Sequence, residues 1–176
     1  MAYSVDHSVA VAIPIAVVDT GKTVASGSTK PTIPLGTIIR GVDPTYGQGE
    51  FIFLQGVGST AVGDVVTFDG TTYQTVRATT ATNQGKPIAV AMAAVATTAN
   101  WGWYQIEGTA VVNKSTAVKI SNRAKIGMKS TAKVGSWAPL SGKALWGAVA
   151  AASAASAVTT IAVVMNRPHL AGLINT

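Results

Sequence analysis

Short apolar runs broken by turn residues dominate the chain from Leu35 onward, and no long stretch repeats its apolar positions every 3.6 residues. Thr37-Ile-Ile-Arg reads as a short strand closed by the turn-rich Asp43-Pro-Thr-Tyr-Gly-Gln-Gly. Glu50-Phe-Ile-Phe-Leu-Gln is apolar on both faces, the pattern of a strand buried on either side. Asp64-Val-Val-Thr-Phe and Thr71-Thr-Tyr-Gln-Thr-Val flank Asp69-Gly70, a strong two-residue hairpin signal. Two longer strands are expected over 87–96 and 101–112, joined by Thr97-Thr-Ala-Asn, and two shorter ones over 117–120 and 124–128.

The last third of the chain has two readings. Ala148 to Ala157 favours helix by propensity, but Leu145-Trp-Gly-Ala-Val and Val158-Thr-Thr-Ile-Ala-Val-Val-Met are rich in β-branched or aromatic residues. A hairpin over about 144–166, with the Ala/Ser segment at its tip, fits the whole stretch better. The same residues, uncharged between Lys143 and Arg167, have the length of a membrane-spanning helix. Their Ala/Ser/Thr/Gly-rich centre is too weakly apolar for one, so no membrane span is expected.

Residues 1–34 differ from the rest. Pro14, Pro31 and Pro34 forbid a long helix, and Gly21-Lys-Thr-Val-Ala-Ser-Gly-Ser-Thr-Lys-Pro suits either an extended arm or a strand plus surface loop. No basic segment precedes the apolar run from Val9 to Val18, so a secretory signal is not expected, and the Asn113-Lys-Ser115 sequon is incidental. The organisation predicted is an N-terminal arm followed by a β domain over 35–176. The fold class is all-β, a barrel or sandwich of short antiparallel strands with little or no helix.

Composition narrows the function. Only 11% of the 176 residues are charged, against about 25% in an ordinary soluble domain, and 48% are hydrophobic. Thr, Ser, Ala and Gly take the place of charge, and such a surface costs little to desolvate against another protein. There is no cysteine, which excludes disulfides, thiolate metal sites and cysteine nucleophiles. Two histidines, His7 and His169, lie near opposite ends, and no serine stands in a nucleophile elbow. Glu50 and Glu107 could meet across a sheet, where ion pairing is the commoner role for such a pair. Gly56-Val-Gly58-Ser-Thr-Ala61 matches a dinucleotide fingerprint in form, but a strand rather than a helix follows it. No enzyme activity, cofactor or metal is expected.

The net charge is +6, and seven of the thirteen bases (Lys114, Lys119, Arg123, Lys125, Lys129, Lys133 and Lys143) fall in one acid-free stretch. Laid on strands, they predict a positive region that suits nucleic acid, an anionic membrane or an acidic protein face, or that keeps a charge-poor protein in solution. Trp137 is the only aromatic residue there, too few for stacking a single strand, and no element for a duplex groove is evident. Trp101 and Trp103 place two indoles on one strand face, as core or as an interface anchor.

The run Leu35-Gly-Thr-Ile-Ile-Arg-Gly-Val-Asp-Pro-Thr-Tyr-Gly-Gln-Gly-Glu-Phe-Ile-Phe-Leu-Gln-Gly-Val resembles a segment of small tailed-bacteriophage structural proteins. So do Gly85-Lys-Pro-Ile-Ala-Val-Ala-Met with Trp101-Gly-Trp-Tyr-Gln-Ile-Glu-Gly, and the ending Val163-Val-Met-Asn-Arg-Pro. The family is that of head decoration, or cement, proteins. The resemblance covers 35–112 well and 144–168 loosely; residues 1–34 and the basic stretch depart from it. It implies a non-enzymatic virion protein on the capsid exterior that bridges neighbouring major capsid proteins and self-associates, as a trimer in preference to a dimer. Neither nucleic acid nor membrane is an expected partner. The contact set expected for the capsid or for other subunits is Lys114, Lys119, Arg123, Lys125, Lys129, Lys133, Trp101 and Trp103, with Ile13 and Ile15 of the arm. A head fibre or receptor-binding subunit is the alternative within phage biology, and a basic nucleic-acid-binding protein the alternative outside it.

Overall fold

The structure, a computed structural model, describes residues 4–5, 15–79, 85–136 and 144–171. No helix occurs among them, and an antiparallel sheet curls into a half-barrel. Its main path runs β1 (Ser4–Val5), β4 (Ile38–Asp43), β5 (Gly47–Gln55), β9 (Trp101–Asn113), β13 (Thr160–Leu170), β12 (Ala144–Ala150), β10 (Lys125–Ser130) and β11 (Lys133–Ser136). A branch leaves β9 through β8 (Ile88–Ala91) to β6 (Val65–Phe68) and β7 (Thr75–Arg77). β2 (Lys22–Thr23) and β3 (Thr29–Lys30) form a separate small hairpin.

β9 organises the molecule. Its first half pairs with β5, and its second half, from Glu107 onward, pairs with β13. The changeover is at Gly108, whose φ of +91° and close approach to Gln48 suit a residue without a Cβ. Trp101 and Trp103 point to one side of β9, where Ile15, Phe51, Phe53 and Met92 enclose them. Phe53 and Trp103 meet edge to face, with ring centroids 5.1 Å apart. On the other side Tyr104 and Ile106 pack with Ile52, Leu54, Val66, Phe68, Ala89 and Ala91. Val65, Ile88 and Val90 point the opposite way from β6 and β8, into a third core closed by β10 to β13. β5, β6 and β8 each lie between two apolar layers, so their sequences run apolar at consecutive positions instead of alternating.

The all-β expectation holds, with the sheet resolved as a half-barrel, and the C-terminal hairpin forms from β12 and β13. Residues 144–166 are therefore strands and a connection. No helix among the described residues is long and apolar enough to cross a membrane. Three element expectations need correction. The hairpin at Asp69-Gly70 exists, but Phe68 pairs with Thr75, so the loop is longer than two residues. The Asp69 carboxylate accepts from the Thr71 and Thr72 amides and organises that longer loop. Residues 117–120 form no strand; Ile120 alone bridges to Ala154. The strand expected over 87–96 stops at Ala91, because the chain turns away to let Val95 bridge Thr60.

Tyr104 is fully buried, and its hydroxyl lacks a hydrogen-bond partner. Burial pushes the phenol up to about 12, while Thr75 acts in the opposite direction. The Thr75 hydroxyl donates to the Gln55 carbonyl at 2.8 Å and not to the Tyr104 oxygen, which has no hydrogen-bond partner. Removing an unpaired buried hydroxyl without changing shape relieves a desolvation cost. Tyr104→Phe is expected to keep stability or raise it by about 1 kcal/mol in urea titration; a loss of that size would reveal a real partner. The raised value also makes Tyr104 contribute stability that is intact below about pH 10 and is lost as pH rises towards 12. The wild type should lose stability over that alkaline window more steeply than the Phe variant.

Candidate protein-binding face and the Glu50 ion cluster

The Asn166-Arg167-Pro168 segment of β13 generates local irregularity. Pro168 donates nothing to a ladder, and the β12–β13 register shifts between Trp146 and Ala148. Gly147 occupies the shift on β12 at φ +79°; an added Cβ there would lie 2.7 Å from the Asn166 carbonyl oxygen. Arg167, at φ +40°, is thereby turned towards β5 and β9. Its guanidinium donates to Glu50 Oε2 at 2.6 Å and lies 3.6 Å from Glu107 Oε2. Arg40 donates to Glu50 Oε1 at 2.8 Å. Glu50 and Glu107 are direct cross-strand neighbours, and the carboxylate of each lies within ion-pair distance of the Arg167 guanidinium.

This cluster borders an open cleft of about 340 Å³. Hydrogen bonding from Arg167 holds the Glu50 carboxyl below its ordinary range; burial opposes this, and Arg40 adds to the lowering. A carboxylate kept ionised in this way is a poor proton donor near neutrality, since a general acid needs the opposite shift. The arrangement works as a clamp joining β4, β5, β9 and β13. Arg167→Met leaves the buried Glu50 with one partner and is expected to lower stability measurably near pH 7 in urea titration. Because the folded value of Glu50 is depressed, the clamp's stabilisation is present above the ordinary carboxyl range and lost as pH falls through the folded value. The cost of the substitution should therefore shrink in acid; equal costs at pH 7 and pH 3 would show that the charge pair contributes nothing.

Every described carboxylate is engaged within the fold. Asp19 accepts from the Gly21 and Thr32 amides and the Thr32 hydroxyl. Asp43 accepts from the Thr45 and Tyr46 amides, and Asp64 from the Ala61 amide, Asn113 and Arg77. Asp69 holds its loop and lies 3.9 Å from the Lys86 ammonium. The consequence appears on the basic stretch. Lys119, Arg123, Lys129 and Lys133 are exposed, and among the described residues none of the four has a carboxylate within ion-pair distance.

Lys114 departs from that picture. It is 1% exposed, and its ammonium donates to the carbonyls of Ser115, Val118 and Ser156 at 3.0, 2.6 and 3.4 Å. It is an internal tie between the 115–118 and 155–159 loops and adds no surface charge. Trp101, Trp103 and Ile15 are likewise buried core residues in the single chain. Lys125 is exposed at the start of β10, while Ile13, Trp137 and Lys143 lie outside the described residues.

Sequence reasoning passed over the outer face of β12 and β13. Trp146 is 50% exposed there, with Val149 and Val164 at 40% and 44%. Val149 pairs with Val164 on one side and with Lys125 on the other, giving one row across three strands. The β10–β12 ladder gapes: Gly127 pairs with Ala144 and Lys125 with Val149, so the short step past Ile126 faces the whole Leu145–Ala148 stretch. A mostly apolar groove of about 330 Å³ opens at this gap, walled by Trp146, Val149 and Val164. The signal was present in Leu145-Trp-Gly-Ala-Val, but the outward direction of Trp146 depends on the strand register.

Comparison of the chain with protein-family models, curated proteins and solved structures returns no match. Among the described residues no group of three or more His, Asp or Glu side chains is placed to hold a metal ion.

Proposed function

We propose that this chain is a non-enzymatic structural protein of a tailed-phage virion. In this reading it binds the outer surface of the head and stabilises it by bridging neighbouring major capsid proteins. The observation that carries the reading is the division of charge. The described carboxylates are used inside the fold, whereas Lys119, Arg123, Lys129 and Lys133 are exposed with no carboxylate within ion-pair distance among the described residues, and an uncharged apolar sheet face opens at the β10–β12 gap. Such a surface favours an acidic protein neighbour, and its Thr/Ser/Ala/Gly-rich remainder costs little to cover. The resemblance of residues 35–112 to segments of head decoration proteins, read from the sequence, is taken up as part of the same proposal. Self-association, as a trimer rather than a dimer, belongs to the proposal, because several attachments per particle convert modest contacts into avidity.

The deciding experiment mixes purified protein with expanded, undecorated heads of the encoding phage. Saturable binding and a rise in the temperature of head rupture are expected, as is stoichiometric presence of the chain in purified virions. Absence from virions together with no binding to heads would end the reading. A head fibre or receptor-binding subunit is the second reading, favoured by the half-exposed Trp146, since aromatic platforms suit sugars. It predicts binding to host cells or their glycans by the free protein.

A further inference from the structure

We infer that the groove beside Trp146 is the seat for an apolar side chain of an acidic protein segment, whose carboxylates meet the bases along β10. The inference rests on the virion reading above and names the contact that reading lacks. The groove exists because the β10–β12 ladder opens opposite Leu145–Ala148, exposing apolar wall on the β12 and β13 side. The β10 side of the same opening carries charge. Lys125 lines the groove, and Arg123, whose backbone N–H donates a hydrogen bond to the Ala150 carbonyl of β12, is exposed. Lys129, farther along β10, lays its stem over Gly135 and is also exposed. Apolar surface on one side and cations on the other ask for a ligand with the same two-sided character: one bulky apolar residue flanked by Asp or Glu.

A second copy of this chain is a poor source from the described residues, because each of their carboxylates already has an internal partner. An acidic segment of a foreign chain therefore fits the opening better than the described surface of a second copy. A nucleic acid offers negative charge, but two of the three exposed walls are valines, and base stacking needs aromatic platforms.

The test uses the full-length protein and two sets of probes. The first is a titration followed by the indole N–H resonance of Trp146, which a Trp146→Tyr spectrum assigns. The probes are a capped synthetic peptide with Leu-Phe between paired glutamates, the same peptide with serine for glutamate, and an oligo-dT of twenty nucleotides. The acidic peptide should shift the Trp146 signal, and Lys125→Glu combined with Lys129→Glu should weaken it at least tenfold. Failure of the acidic peptide to move that signal, or stronger movement by the oligonucleotide, overturns the inference. The second set is undecorated heads. Trp146→Ser should weaken binding at least tenfold, and Val164→Thr, a change at an exposed site of nearly constant size, should weaken it measurably. Heads that bind wild type and both variants equally overturn the groove assignment and leave the virion reading standing. Heads that bind nothing overturn that reading, and the peptide arm then decides the groove by itself. Circular dichroism and unchanged thermal midpoints establish that the variants are folded.

Discussion

Lys114→Met is expected to lower the stability of the folded chain by about 3 kcal/mol or more. The Lys114 side chain is buried, and its three donors go to three backbone carbonyls drawn from two separate loops. Methionine keeps much of the volume but removes every donor, leaving the Ser115, Val118 and Ser156 carbonyls without that partner in a site water does not freely enter. Hydrogen bonds to a charged group contribute about 1.5–3 kcal/mol each in favourable cases, and the 3.4 Å contact to Ser156 is the weakest of the three. The measurement is urea unfolding followed by far-ultraviolet circular dichroism. A second readout separates this role from simple packing: amide exchange should accelerate at Ile120 and Ala154, whose bridge joins the two tied loops. A loss under 1 kcal/mol with unchanged exchange would show that the ammonium reaches water and that the carbonyls find other donors.

Gly108→Ala should have an effect of similar size by a different route. The residue sits mid-strand in β9 at φ +91°, a conformation that costs an L-residue about 1–2 kcal/mol. An added Cβ would also press on the Gln48 carbonyl oxygen and come within 2.9 Å of the Gly49 Cα. Both are backbone atoms of the partner strand, so no side chain can swing aside; β5 and β9 must separate. Together the two terms predict a loss of about 3 kcal/mol in chemical denaturation. The disturbance should also reach Glu50, which neighbours Gly49 and pairs with Glu107 beside the glycine. The acid dependence of stability that the Arg167 clamp confers should therefore be weakened in the same variant. A Gly108→Ala protein with wild-type stability and wild-type acid sensitivity would mean that the two strands do not approach so closely.

Much of the architecture was legible along the chain because strand and turn signals are local. Consecutive apolar residues in Glu50-Phe-Ile-Phe-Leu-Gln announced a strand between two layers, and Phe51 and Phe53 do face one core while Ile52 and Leu54 face another. The choice of a hairpin over a helix near Ala150 followed from β-branched flanks outweighing alanine propensity. Asp69-Gly70 misled because the aspartate bonds forward to two amides, a local alternative that a two-residue turn does not offer.

The candidate face was less legible. Counting bases in 114–143 located a positive region, since an acid-free run stays acid-free however it folds. Counting could not separate Lys114 from Lys119. The first is enclosed by the nearby Ser115 and Val118 carbonyls together with that of Ser156, far along the chain; the second remains exposed. Nor could it show that the acids elsewhere would be consumed, because Arg167 reaches Glu50 only after β13 crosses beside β9.

Sequence by itself determined the class of fold, most of the longer strands, the scarcity of charge and the sign of its largest cluster. These depend on residue type and on neighbours within a few positions. Tertiary structure alone decided which lysine is internal, which tryptophan is exposed, and that a gap in one ladder opens an apolar groove beside a row of bases. Each of these depends on register between strands distant in sequence, and shifting a pairing by one residue exchanges the buried and exposed faces of a strand.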